Sequence, residues 1–226
     1  MKRQEMFQVD AFASELFAGN PAAVCILDAW LPEATMQSIA AENNLAETAF
    51  AVPSTDGYEI RWFTPEGEVA LCGHATLATA FVLFSDAESE SDLIRFQTRE
   101  RGQLQVSRSG DLFILDFPAD TMAEAELPDG LVESLGATPS SCWKGLTDYM
   151  VVFDSEEQVR QLRPNYFLMD RIPVRGIIAT APGEEQDFVS RFFAPRCGIP
   201  EDPVTGSAHT TLTPYCLLYT SDAADD

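Results

Sequence analysis

Five residues combine a type that moves protons or holds anions with a place at or near the start of a strand or helix: Glu47, Cys72, His74, Asp202 and Ser207. Glu47 stands in Asn43-Asn44-Leu45-Ala46-Glu47-Thr48-Ala49-Phe50, where a carboxyl group interrupts the way into an apolar strand. A carboxylate so placed is partly desolvated, its pKa rises, and it becomes a useful acid/base; a solvated glutamate at a strand edge is the alternative. His74 offers a donor to a developing anion or a proton relay, or else a helix cap or a packed side chain. Asp202 reads as orienting His74 or a substrate amine, or as the N-terminal partner of the helix that follows. Ser207 reads as an anion-binding hydroxyl, since no Gly-x-Ser-x-Gly elbow surrounds it. Cys72 lies two residues from His74, a closeness in sequence that does not orient the two side chains.

The elements that position these residues come in two copies. Ala49-Phe50-Ala51-Val52-Pro53, Tyr58-Glu59-Ile60-Arg61-Trp62-Phe63-Thr64-Pro65 and Gly73-His74-Ala75 follow one another in the first half. Ile178-Ala179-Thr180-Ala181-Pro182, Phe188-Val189-Ser190-Arg191-Phe192-Phe193-Ala194-Pro195 and Gly206-Ser207-Ala208 repeat the order downstream. Each copy reads as strand, turn, strand ending Arg-aromatic-Phe-x-Pro, loop, and a Gly-x-Ala helix start. The repeat predicts two similar lobes, each a sheet wrapped around one buried helix.

Under a two-fold relation the helix starts at Gly73 and Gly206 face each other across a cleft. Their first-turn N–H groups then bind a carboxylate, with glycine allowing close approach. The simpler alternative is that both glycines end tight turns. In the repeat, Gly176 falls opposite Glu47, so any base stands on one side only.

Locally, Phe7 to Phe12 alternates as a strand, and Ala22 to Leu27 is a short apolar strand after the turn Gly19-Asn20-Pro21. Pro32 to Asn43 reads as an amphipathic helix with Met36, Ile39 and Ala40 on one side. Ala49 to Pro53 and Tyr58 to Thr64 pair around Ser54-Thr55-Asp56-Gly57. His74 to Phe84 is a helix apolar nearly all round, hence internal. A boundary is expected near Asp111 to Asp120, where Leu112 to Phe117 restarts the pattern of Phe7 to Phe12.

The 226 residues are 46% hydrophobic, enough for one large or two small cores. With 14 basic against 36 acidic residues the formal charge is −22, which argues against nucleic acid or an anionic membrane surface as partner. No signal-length or bilayer-length apolar stretch follows Met1, and the expected compartment is the cytoplasm. Five scattered cysteines form no CxxC pair and there are two histidines, so neither a disulfide framework nor a metal site is predicted. No Walker loop or dinucleotide fingerprint is present, and no cofactor is expected.

Together these stretches resemble the phenazine-biosynthesis (PhzF-like) isomerase family. The carriers are Gln8 to Phe12, Phe17-Ala18-Gly19-Asn20-Pro21-Ala22-Ala23-Val24, Asn44 to Phe50, Arg61 to Pro65, Leu71-Cys72-Gly73-His74-Ala75-Thr76-Leu77-Ala78 and Glu201-Asp202-Pro203-Val204-Thr205-Gly206-Ser207-Ala208-His209. The resemblance implies an α+β, diaminopimelate-epimerase-like fold of two pseudo-symmetric lobes, each a curled mixed sheet around a central helix. It also implies a homodimer with an active site between the lobes. The family's founding enzyme isomerises a dihydro-hydroxyanthranilic acid without a cofactor. Its catalytic glutamate matches Glu47, and its supporting residues match Gly73, His74, Asp202 and Ser207.

The implied activity is proton movement on a small carboxylic acid by one glutamate. The structurally related epimerases use two thiols on opposite faces. Here Cys72 has no counterpart between Glu201 and Ala208, and Cys197 lies outside the helix start. A cofactor-free epimerase or racemase and a non-catalytic metabolite-binding dimer are the alternatives.

The expected lobes are 1–114, with its helix at 74–84, and 115–215, with a helix from 206. Family members run on past this last helix. Cys216 to Asp226 instead resembles translated sequencing adapter, which implies a truncated C-terminal lobe, unpaired sheet edges and poor folding.

Overall fold

The computed structural model describes residues 3–15, 17–85 and 91–220, which form two compact units, 1–117 and 118–226. In the first unit β1 (Phe7–Ala11), β2 (Asn20–Ile26), β3 (Glu47–Ser54), β4 (Gly57–Phe63), β5 (Glu68–Val69), β6 (Leu93–Gln97), β7 (Gln103–Ser109) and β8 (Leu112–Asp116) make one sheet. Its path is β1-β2-β3-β4-β6-β7-β8, with β5 on β4. β2 runs parallel to β3 and β4 to β6; the other pairings are antiparallel.

Every strand of that path sends apolar side chains to a single helix, α2 (Gly73–Phe84). Val9, Val24, Ala49, Trp62, Phe96, Val106 and Phe113 all pack in the cluster that holds Ala75, Ala78, Leu83 and Phe84. Seven strands reach one helix only by curling round it. α2 is buried on nearly all sides, so its threonines need internal acceptors. Thr76 and Thr79 donate to the Cys72 and Ala75 carbonyls at 2.6 and 2.7 Å. The other face of the sheet takes α1 (Glu33–Asn43), where Met36 and Ala40 meet Phe50, Val52 and Phe63.

The second unit repeats the scheme. β9 (Ala123–Glu124), β10 (Ser141–Lys144), β11 (Asp148–Val152), β12 (Gly176–Pro182), β13 (Phe188–Ala194) and β14 (Ile199–Asp202) form the sheet β14-β13-β12-β11-β10-β9. The β11–β12 pair is parallel and the others antiparallel. One face carries α6 (Gly206–Thr220) through Ala208 and Leu212 against Met150, Ile178 and Phe192. The opposite face carries α3 (Leu131–Leu135), α4 (Glu156–Gln161) and α5 (Tyr166–Met169).

The predicted elements appear with small shifts. Asn20 and Pro21, read as a turn, already belong to β2, where Asn20 is buried opposite Ala11. Residues 112–117 do not restart the fold. Gly110, at φ +60°, turns β7 back into β8, and Phe113 and Leu115 complete the first sheet's contact with α2. Alternation alone could not tell a closing hairpin from a new beginning. Of the tail expected from 216, residues up to 220 lie in α6, and 221–226 lie outside the described residues.

Pro214 sits inside α6 and has no N–H to give the Thr210 carbonyl. That carbonyl instead accepts the backbone N–H of Asp120 at 2.9 Å.

Candidate active site

Glu47 is the first residue of β3, paired in register with Ala22. The chain reaches it from α1 through Asn44, whose left-handed conformation (φ 52°) closes the helix and redirects the backbone. Glu47 shares its sheet face with Ala49, the side that packs on α2. Only 13% of its side chain is exposed.

His74 lies in the first turn of α2 and is 3% exposed, with Nε2 3.3 Å from Glu47 Oε2. On the other ring nitrogen, Nδ1, the Cys72 thiol approaches to 3.5 Å. Burial pushes the imidazole down to about 4 from its ordinary 6.5, so near pH 7 the ring is neutral. The Glu47–His74 contact therefore joins a carboxyl group to a neutral imidazole and is not an ion pair. One donor atom each from Glu47, Cys72 and His74 lie within 4.8 Å of one another.

Asp202, Gly206 and Ser207 belong to the second unit. Asp202 ends β14 and accepts the Thr205 hydroxyl at 2.5 Å, just ahead of α6. Gly206 and Ser207 open α6, and the Ser207 hydroxyl accepts from both Nη atoms of Arg175, at 3.2 and 3.1 Å. With the guanidinium donating into its oxygen, Ser207 can still donate its own O–H.

Arg175 and Asp148 are the residues that sequence reasoning missed. Arg175 Nε donates to Asp148 Oδ1 at 2.8 Å, and Nη2 pairs with Oδ2. The Asp148 side chain is 3% exposed and Arg175 is one-third exposed. Burial works against the Arg175 charge, but Asp148 outweighs it and holds the guanidinium above its ordinary range. The signal was available: the repeat that sets Gly176 opposite Glu47 puts Arg175 beside that position.

Gly176 is paired with Asp148 as Glu47 is paired with Ala22. A Cβ there would lie 2.2 Å from the Phe192 ring, so any larger residue, a glutamate included, must displace that ring.

A family profile described as "Phenazine biosynthesis-like protein" matches residues 9–222. The chain belongs to the phenazine biosynthesis-like family. It is 52% identical over 210 residues to a Pseudomonas aeruginosa protein named as an uncharacterized isomerase, covering 93% of this chain and 80% of that one. A crystal structure of a PhzF-family phenazine biosynthesis protein from Enterococcus faecalis superposes with a TM-score of 0.87 at 44% identity, over 94% of this chain and 82% of the other. A predicted epimerase from Pseudomonas aeruginosa shares the fold at 19% identity, with a TM-score of 0.72 over 97% of this chain and 83% of its own. The expected α+β, diaminopimelate-epimerase-like fold with curled sheets therefore holds for this member of the family. No helix among the described residues is long and apolar enough to cross a membrane.

Proposed function

We propose that the chain is an isomerase that moves a proton on a small, unsaturated carboxylic acid, with Glu47 as its one acid/base. The observation that carries this reading is the buried Glu47–His74 contact at 3.3 Å. A carboxylate taking a proton from carbon leaves an anion on the substrate. A neutral imidazole can donate to that anion without competing for the proton as a cation would. Glu47 then returns the proton at another carbon on the same face, so no opposing base and no cofactor enter the scheme.

Within the second unit, Ser207 and the first-turn N–H groups of α6 form an anion-binding element suited to a carboxylate. Arg175 holds Ser207 from behind with its own charge matched by Asp148. Asp202 and Gly206 stand with Ser207 at the start of α6, and Gly73 opens α2 beside His74. In this reading the protein acts as a cytoplasmic homodimer, and a sedimentation or mass measurement on the purified protein tests the dimer.

The test of the chemistry is incubation with dihydro-hydroxyanthranilic acid and a panel of small unsaturated acids in D₂O, followed by NMR. Isomerisation with deuterium uptake in the wild type, lost in Glu47→Gln, is the expected result. Turnover retained in Glu47→Gln would sink the one-glutamate mechanism.

One observation favours a second reading. The Cys72 thiol lies 3.5 Å from Nδ1 of His74, a thiol–imidazole contact of the kind a thiol-based epimerase uses, although burial makes this imidazole a weak base. Inversion of a stereocentre with solvent exchange, abolished in Cys72→Ser, would select it.

A further inference from the structure

The sequence, with no CxxC pair and two histidines, gives no reason to expect a metal centre. The fold nevertheless gathers a thiol, an imidazole and a carboxyl group with donor atoms all within 4.8 Å. Ligands about 2.0–2.3 Å from a tetrahedral ion stand roughly 3.3–3.8 Å apart. The Sγ–Nδ1 separation of 3.5 Å lies in that range, while Glu47 Oε2 stands 3.3 Å from the opposite ring nitrogen, Nε2. One ring nitrogen holds the ion, so the Glu47 side chain must turn toward it to complete the set.

We propose that Glu47, Cys72 and His74 form a three-ligand, open site for a zinc-type divalent cation. The donor set selects the ion: thiolate and imidazole favour zinc and its softer relatives over magnesium or calcium, which prefer oxygen. Charge also fits, since one thiolate and one carboxylate neutralise a dication in a place where an unbalanced charge is costly. Metal capture is a proton exchange in which the Cys72 S–H bond breaks, the S–metal bond forms, and the proton leaves to solvent.

The backbone already presents all three ligands. Cys72 and His74 are set by the start of α2, where the Cys72 carbonyl accepts from Thr76, and Glu47 is set by its register in β3. Access lies on the Glu47 side, since its side chain is 13% exposed against 3% for His74. Occupation would withdraw Glu47 from proton transfer. This consequence rests on the isomerase reading, but the binding does not.

The test uses the metal-stripped full chain titrated with CdCl₂, followed by the ultraviolet sulfur-to-cadmium charge-transfer band, with ZnCl₂ competing in calorimetry. One equivalent should saturate the band, and zinc should displace cadmium. Cys72→Ser should lose the band, while Cys197→Ser and Cys216→Ser should keep it. Glu47→Gln and His74→Gln should each weaken affinity at least about tenfold, the low end for loss of even an outer partner. Circular dichroism of each variant checks that it remains folded. Absence of the band in wild type, or its persistence in Cys72→Ser, would overturn the site. Unchanged affinity in both Glu47→Gln and His74→Gln would do the same. The deuterium experiment with Glu47→Gln fails or succeeds independently of all these results.

Discussion

The two units carry the same strand scheme and differ in what they do with one carboxylate. In the first, β1 to β5 place Glu47 at the head of β3, beside a neutral imidazole. In the second, β10 to β14 repeat the pairing, but the matching residue is Gly176 and the carboxylate has moved one strand over to Asp148. There it is held by two contacts to Arg175. The shared framework extends to side chains. Arg61 pairs with Glu68 and lies 5.0 Å from the Phe63 ring, and Arg191 pairs with Glu201 and lies 5.0 Å from the Phe193 ring. A duplicated scaffold can thus keep one carboxyl group available for chemistry and commit the other to an ion pair.

The sharpest way to break this comparison is to remove each carboxylate in turn. Glu47→Gln should lower turnover by about 10²–10⁴-fold, the usual worth of a general acid/base, with little change in stability. Asp148→Asn should act the other way round. It strands Arg175, and because that side chain is one-third exposed, the low end of the range for broken buried pairs applies, about 3 kcal/mol in chemical denaturation.

His74 tests the first unit through pH. Its folded pKa of about 4 lies below the ordinary 6.5, so below pH 6.5 the unfolded chain takes up a proton that the folded chain refuses. Stability is therefore lost as pH falls from 6.5 to 4, by about 3 kcal/mol from this residue. The wild-type curve minus that of His74→Gln should isolate this loss. A difference flat across that window would show that the imidazole is not held neutral.

Gly176→Ala probes why the second unit has no base. The added methyl group must displace the Phe192 ring, and the expected cost is about 1–3 kcal/mol. Pairing it with Phe192→Leu should recover part of that loss. The smallest effect concerns the matched arginines. Arg61 meets both Glu33 and Glu68, while Arg191 meets Glu201 and the Val159 and Leu162 carbonyls, so Arg61→Met and Arg191→Met should agree in cost to within about 1 kcal/mol.

What could be read in the sequence was local or repeated. The Phe50 and Trp62 strands, the helix beginning at Gly73, and the place of Glu47 before an apolar run all follow from periodicity. The repeat aligned Glu47 with Gly176, and the structure supplies the cause in Phe192. Contacts set by long-range register stayed hidden. Asp148 and Arg175 come from a strand start and a loop end, and each alone looks like a solvated polar residue, while Ser207 stood out at its helix start but its arginine partner did not. Cys72 and His74 were visible as neighbours, yet only the first turn of α2 determines that thiol and ring meet. The closing hairpin β7–β8 was misread for the same reason: its partner strand, not its pattern, defines it.

The proline within α6 gives the second unit a built-in reporter. Because Pro214 cannot use the Thr210 carbonyl, the Asp120 amide can, and its hydrogen is shielded only while that helix is seated. The exchange rate of this one amide therefore measures how often α6 lifts from its sheet. Labelled at Asp120 alone, the protein would reveal ligand-induced tightening of the helix that carries Ser207 before any reaction is assayed.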